Sequence, residues 1–425
     1  MEKAAQSTTP LTKGEPMKPR ERVIEAFHFR EADKIPVDFG GHRSSGIAVQ
    51  AYKKLREYLG LKPSPLFIYD VVQQLAVIED DVLDIIKPDI VQLGYDFYRQ
   101  PDYWKPWKLH DGTDVMIPRF LDVRVTGSGD YVIISPRGNI SAIQKKDCLY
   151  FEQLGFPYED YDGDFTKVSE DIKEIMWVQA QTPPGPDSYE NIGKIAAKLR
   201  GETDRAIYGI FGGNLIELGE MAFRMDNFLL QLALSPQRIH DFLDSLLDVH
   251  MKNLEQFVRH VAPYVDIIGF SDDLGMHNGP QISAEMFREF FKLRYKRMYD
   301  YIKKHSPHLK ICLHCCGSIH KLLPDLIEAG LDSFNPVQIT CGNMEPWRLK
   351  KDFGDRMVFW GGGCDTREVL SRGTPAEVAD NVRVNIEAFK QGGGFIFQQV
   401  HNILADVPPE NIMAMFDAAQ KYGKY

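Results

Sequence analysis

The sequence predicts a mixed α/β protein, a (β/α)8 TIM barrel carrying an antiparallel β insertion. Three observations lead there. Brief apolar runs alternate with helical patterns along the chain, the runs number about eight, and one segment near residues 101–155 breaks the rhythm. Strand–helix alternation implies a parallel sheet, and eight parallel strands close into a barrel.

The runs are 35-IPVDF-39, 89-DIVQLGY-95, 206-AIYGIF-211, 266-DIIGFS-271, 310-KICLHC-315, 332-DSFNPV-337, 357-MVFWGG-362 and 394-GFIFQQV-400. Each is short and rich in Ile, Val and Phe, as strands buried on both faces are. Between them, 283–305 repeats apolar residues at three- and four-residue spacing behind Ser283, a good N-cap. In 374–393, Thr374 caps, Pro375 occupies the first turn and Gly392 follows the end; 408–425 reads as a last helix. An open doubly wound sheet is the alternative, but no GxGxxG follows the first strand. Residues 101–155 carry turn signals at Asp111-Gly112, Gly127-Ser128-Gly129 and Arg137-Gly138-Asn139, with β-branched and aromatic residues between them. That pattern is a meander, expected to cover one end of the barrel. The polar opening, residues 1–17, reads as a disordered tail, and 18–425 as a single domain.

Composition narrows the function. The net charge of −10 disfavours nucleic acid and anionic membranes as partners, and a strongly polyanionic substrate unless arginines gather locally. No run of 18 apolar residues spans a bilayer, and the N-terminus lacks the apolar core of a secretory signal. Six cysteines, two of them adjacent, make no disulfide framework in a chain of 425 residues. They suit a reduced cytoplasm, with metal binding or catalysis as their use.

Barrel active sites form at the carboxyl ends of the strands. There this chain gathers Asp38, His42 and Arg43, then Asp96 and Asn214, then Asp272 and Asp273. The later ends carry His314, Cys315 and Cys316, Asn335 and Gln338, Cys364 and Asp365, and His401 and Asn402. His42, Arg43, Asn335, Gln338 and Asn402 are candidate substrate contacts. Helix capping accounts for Asp365 and for Asn214, but poorly for cysteine and histidine. Side chains alternate along a strand, so His314 and Cys316 face one way and Cys315 the other. An imidazole beside a thiolate is a soft N/S pair suited to Zn2+. Gly317 permits a tight turn before Ser318 opens a helix, whose N-terminal potential would favour a thiolate at Cys316. A catalytic zinc takes three protein ligands and leaves one position open. The third must come from another strand end, and His401 and Cys364 are both placed for it. Cys312 and Cys315 read as small buried hydrophobes, and Cys148 and Cys341 as incidental.

Three stretches, 20-RERVIEAFHFREADKIPVDFG-40, 271-SDDLGMHNGPQISAEMFREFFKLRYKR-297 and 399-QVHNILADVPPENI-412, resemble the uroporphyrinogen decarboxylase superfamily, over nearly the whole chain from Met17 to Tyr425. The resemblance implies a (β/α)8 barrel with its cleft at the carboxyl ends. Its decarboxylases carry an arginine-rich motif after the first strand that grips carboxylates. Here that place reads Phe39-Gly40-Gly41-His42-Arg43-Ser44-Ser45, with one arginine, too few to neutralise a porphyrinogen. The other branch, zinc-dependent corrinoid methyltransferases such as methylcobalamin:coenzyme M methyltransferase, is matched at His314, Cys316 and Gly317. Those enzymes take a cysteine near the last strand as third ligand, where this chain has His401.

The resemblance therefore implies a zinc site at His314, Cys316 and His401, beside which Asp272 or Asp273 orients a ligand or takes a proton. It implies methyl transfer between a small thiol, methyl ether or methylamine and the cobalt of a separate corrinoid protein. This chain has no Asp-x-His-x-x-Gly cobalamin motif of its own. Tyr95, Tyr98, Tyr103, Trp104 and Trp107 are candidates to wall the methyl carrier's pocket or, equally, to pack insertion against barrel. A metal-free lyase using Asp272 and His401 is the alternative function, a binding protein on the same barrel is the third, and a homodimer is allowed.

Overall fold

The computed structural model describes residues 16–94, 100–161, 163–165, 168, 171 and 189–425. Most of the expected N-terminal tail, together with Tyr95, Asp96 and Tyr98, lies outside the described residues.

Seven parallel strands run in sequence order around one curled sheet. They are β1 (Ile90–Gln92), β2 (Ala206–Gly212), β3 (Ile267–Ser271), β4 (Lys310–His314), β5 (Ser333–Asn335), β6 (Val358–Trp360) and β7 (Phe395–Ile396). Every adjacent pair is parallel, and the register sets Ser271 beside His314 and His314 beside Asn335. The expected strand 35–39 is reduced to a single parallel bridge between Val37 and Phe397. Two causes are local. Pro36 has no N–H to give, and the Val37 N–H donates to the Asp89 carboxylate at 2.7 Å rather than to a neighbouring strand. The segment still lies between the two ends of the sheet: Asp38 N donates to the Phe397 carbonyl at 2.8 Å, and Asp89 N to the Val37 carbonyl at 2.7 Å. Strand 332–337 stops at Asn335 because Pro336 cannot continue the ladder.

Alternation divides the core. Tyr208, Ile267, Cys312, Trp360 and Ile396 pack together inside the curl. Ile311, Leu313 and Cys315 turn outward into the larger core beneath the helices. The helical stretches follow their caps. Ser283 Oγ accepts from Met286 N at 3.2 Å, and Thr374 Oγ1 from Glu377 N at 3.3 Å. The first of them changes character at Arg288–Lys292, a π-helical turn between two α segments. Between β1 and β2, Trp104–Lys108 pairs antiparallel with Asp114–Pro118. Four further short strands from Asp122 to Gln153 pair antiparallel in order. Trp104 packs between Phe67 and Tyr103, and Trp107 against Tyr131, so these rings serve the packing of that region. No helix among the described residues is long and apolar enough to cross a membrane.

Candidate metal centre

β4 delivers His314 at its last residue, and the chain must then reverse sharply to bring Cys316 to the same side. Gly317 allows this with a φ of 81°. A Cβ there would stand 2.3 Å from the Gly275 carbonyl carbon, so two backbones meet where no side chain fits. The turn is pinned by Cys316 N donating to Asp273 Oδ1 at 2.7 Å and Gly317 N to Gln338 Oε1 at 2.7 Å. Gln338 thus shapes the loop. The expected helix at Ser318 does not form there: Ser318 bridges to Met276, and the next helix is Leu323–Ala329. The expected thiolate-favouring helix end is therefore absent. Burial, and then the Asp273 charge, push the Cys316 thiol well above the ordinary range instead. The cause the sequence suggested is replaced by one of opposite sign.

His314 Nε2 stands 3.6 Å from Cys316 Sγ, and the His314 and His401 rings meet edge-on with centroids 5.9 Å apart. One nitrogen from each histidine and the Cys316 sulfur all lie within 4.8 Å of one another. Tetrahedral zinc with bonds of about 2.0–2.3 Å needs donor atoms about 3.3–3.8 Å apart, so one pair is already at that spacing and small side-chain rotations bring in the third. Burial lowers both histidines, His401 to about 3, which keeps the imidazoles neutral and able to ligate. Cys364 does not join this group. It is fully buried, its Sγ 3.8 Å from the Asp365 carbonyl.

Behind His314 lies a buried amide network. His314 Nδ1 is 3.2 Å from Asn335 Oδ1, which also accepts from Ser44 Oγ at 2.5 Å. Asn335 Nδ2 donates to the Trp360 carbonyl at 3.1 Å and to Gln398 Oε1 at 2.8 Å. Because Oδ1 can only accept, it holds the proton on His314 Nδ1 and turns the Nε2 lone pair toward Cys316. His42 stacks beneath His314 at 5.4 Å, wedged against Tyr208 and Trp360 and 2% exposed. That depth makes it a support for the His314 ring.

The two aspartates differ. Asp273 Oδ1 stands 3.8 Å from His314 Nε2 and is partly open to solvent. Asp272 is wholly buried, accepting from Leu215 N at 2.7 Å, Ile216 N at 2.9 Å and Glu217 N at 2.7 Å, and from the Tyr295 hydroxyl. Those groups enclose the carboxylate, and its geometry anchors the start of helix Ile216–Phe223. A cleft of about 220 Å3 opens beside His401. Asn402 borders it, its Oδ1 accepting from Gly46 N at 2.9 Å and its Nδ2 donating to Gln73 Oε1 at 2.9 Å. Arg43 lies close by, bound to Asp70 at 2.6 Å.

Sequence reasoning missed Ser44, Gln398, Gln73 and Tyr150. Gln398 was readable, since it continues the inward alternation of Ile396. Gln73 and Tyr150 reach the cleft from segments with no chemical pattern of their own.

Two imidazoles and a thiol at the carboxyl rim of a curled parallel sheet make a candidate metal site in barrel-like surroundings. The uroporphyrinogen decarboxylase (URO-D) family model matches residues 150–422, more than half of the sequence, and the chain belongs to that family. It is 27% identical over 188 residues to a methylated-thiol–coenzyme M methyltransferase of Methanosarcina mazei, covering 44% of this chain and 45% of that protein. It is 23% identical over 192 residues to a uroporphyrinogen decarboxylase of Magnetococcus marinus, covering 44% and 50%. The chain thus spans about half the length of the curated relatives it matches. A solved methyltransferase from Methanosarcina mazei shares the fold across 96% of this chain and 99% of its own, with a TM-score of 0.59 and 17% identity.

Proposed function

We propose that this chain is a zinc-dependent methyltransferase, moving a methyl group between a small thiol, methyl ether or methylamine and the cobalt of a separate corrinoid protein. The observation that carries the reading is the grouping of His314, Cys316 and His401 with a cleft beside them. The methyltransferase relative supports it. Zinc, when bound, would activate a thiol as its thiolate or draw electron density from a leaving heteroatom.

The rest falls to the chain's own side chains. Asn335 fixes the His314 tautomer, Gln338 and Gly317 hold Cys316 in place, and Asp273 offers a carboxylate at the edge of the centre for a proton leaving or entering. His314, Cys316 and His401 are each half-buried, so the centre stays reachable from the strand ends. In this reading the Val37 segment is the eighth stave of a (β/α)8 barrel, the antiparallel strands between 104 and 153 are an insertion on it, and residues 18–425 act as one domain. The corrinoid protein approaches over the strand ends. The lyase alternative draws support from the decarboxylase relative and from the family's own description. Against it, the motif after Phe39 holds one arginine, already paired with Asp70.

Metal analysis of protein purified without added zinc tests the proposal. Wild type and Cys364→Ala are expected to carry about one zinc per chain, and Cys316→Ala and His401→Ala to lose it. Near-stoichiometric zinc in both ligand variants would overturn the site.

A further inference from the structure

The cleft beside His401 is built without a free charge. Its walls include Ala48, Leu75, Ile403, Leu404 and the Tyr150 ring, and no lysine or arginine is among the described residues that line it. Arg43 is the cation whose charge is felt at both His314 and His401; Lys54, outside the lining, gives its Nζ to the Ala405 carbonyl at 3.1 Å. The Arg43 guanidinium is held by Asp70 through Nε at 2.6 Å and again through Nη2; Arg43 is 23% exposed and Asp70 1%. Gln73 closes the arrangement, its N and Nε2 standing 3.1 and 3.2 Å from the same carboxylate and its Oε1 taken by Asn402. Arg43, Asp70, Gln73 and Asn402 thus satisfy one another.

In the metal-free chain, a carboxylate or sulfonate entering this cleft would shed water without gaining an unpaired side-chain cation from its walls. The charge felt at Tyr150 is that of Asp406, of the wrong sign for an anion. At about 220 Å3 the space is smaller than the roughly 300–1,000 Å3 of drug-sized sites. It suits a single short chain or one ring.

We infer that the methyl carrier is a small uncharged molecule, a methyl group on sulfur or oxygen of a short alkyl or single aromatic group, seated on Leu75, Ile403 and Leu404 under Tyr150. This deepens the methyltransferase reading and rests on it. It separates the chain from enzymes whose carrier is a carboxylate or sulfonate, because Asp70 has already consumed the positive charge that such a carrier would need.

The test uses the full chain, metal-free, with two probes alike in size and different in charge: anisole and benzoate, followed by ligand-observed NMR. Anisole is expected to bind at least tenfold more tightly than benzoate, and Tyr150→Ala to weaken it at least fivefold. Asp70→Asn, which releases Arg43, should raise benzoate affinity at least tenfold with anisole unchanged. Leu404→Arg, on a partly exposed wall, makes the same demand without touching a buried carboxylate. Benzoate binding wild type as tightly as anisole, or no binding of anisole, overturns the inference. Zinc content is measured separately on the as-purified protein. Zinc present with benzoate preferred sinks this inference and spares the methyltransferase reading, whereas absence of zinc sinks that reading and the inference with it.

Discussion

Asn335→Ala is the substitution that best separates a metal site from a chance meeting of polar side chains. The amide makes four contacts: with His314 Nδ1, Ser44 Oγ, the Trp360 carbonyl and Gln398 Oε1. Alanine removes all four. Groups that orient a metal-bound histidine typically contribute 10–100-fold to metal affinity, so zinc should bind about 1.4–2.8 kcal/mol more weakly. Stability falls for a separate reason. The Trp360 carbonyl, the Gln398 oxygen and the His314 N–H lose buried partners at about 1–3 kcal/mol each, less what water recovers in the space opened, so a loss of about 3 kcal/mol is expected. The two effects part company in Asn335→Asp. Its carboxylate still accepts from His314 Nδ1, which holds zinc affinity at or above wild type, but it sets an oxygen against the Trp360 carbonyl and Gln398 Oε1 and destabilises the fold. Zinc affinity is read by competition with a chromophoric chelator at neutral pH, and stability by urea unfolding of the metal-free protein. If Asn335→Ala binds zinc within twofold of wild type, His314 is not oriented through Asn335 and the assignment fails.

Asp272→Ala should cost about 3–5 kcal/mol in urea unfolding, since three backbone N–H groups and the Tyr295 hydroxyl lose their acceptor. Zinc per folded chain should stay unchanged; unchanged stability with lost zinc would reverse the structural assignment. Gly317→Ala should lower zinc affinity more than tenfold and stability by at least about 1 kcal/mol, because a φ of 81° is costly for alanine and the Gly275 backbone blocks its methyl group; chelator competition reads the first and thermal unfolding the second, and wild-type behaviour in both would refute the tight-turn account. Glu220 is pushed up to about 8 from 4.5 by burial, then by the Asp272 and Asp273 charges. The native state then holds this proton more tightly than the unfolded chain does, so the contribution is complete below about pH 4.5 and is lost as pH rises through about 8. Urea unfolding from pH 5 to 8 should show Glu220→Gln removing a downward slope of up to about 1.4 kcal/mol per pH unit; an unaltered slope would count against a buried proton at Glu220.

Much of this protein was readable from local pattern. Short Ile/Val/Phe runs can be satisfied only with both faces covered, so the parallel sheet and its order followed from the alternation of runs and helices. The His314–Cys316 pairing was expected from strand alternation, but the strand ends at His314 and the turn pinned by Asp273 and Gln338 is what sets Cys316 beside it. The three-residue grouping required a long-range guess: His401 and Cys364 both stood at strand ends, and no local signal separated them. The fold separated them by depth, sealing Cys364 into the core and leaving His401 at the rim. Equally illegible were the fates of the aspartates. Asp272 and Asp273 are neighbours in sequence, yet one is enclosed by the start of a helix more than fifty residues away while the other reaches the cluster.

The sequence by itself determined most of the element types, their order and the chemistry available at the strand ends, since these depend on spacing and residue type within a few positions. Only the tertiary structure decided which of those groups meet. Burial raised the Cys316 thiol where a helix end was expected to lower it, and Asp70 claimed Arg43 from twenty-seven residues away. Charge and solvation at a site are set by everything packed within a few ångströms, and most of that arrives from elsewhere in the chain.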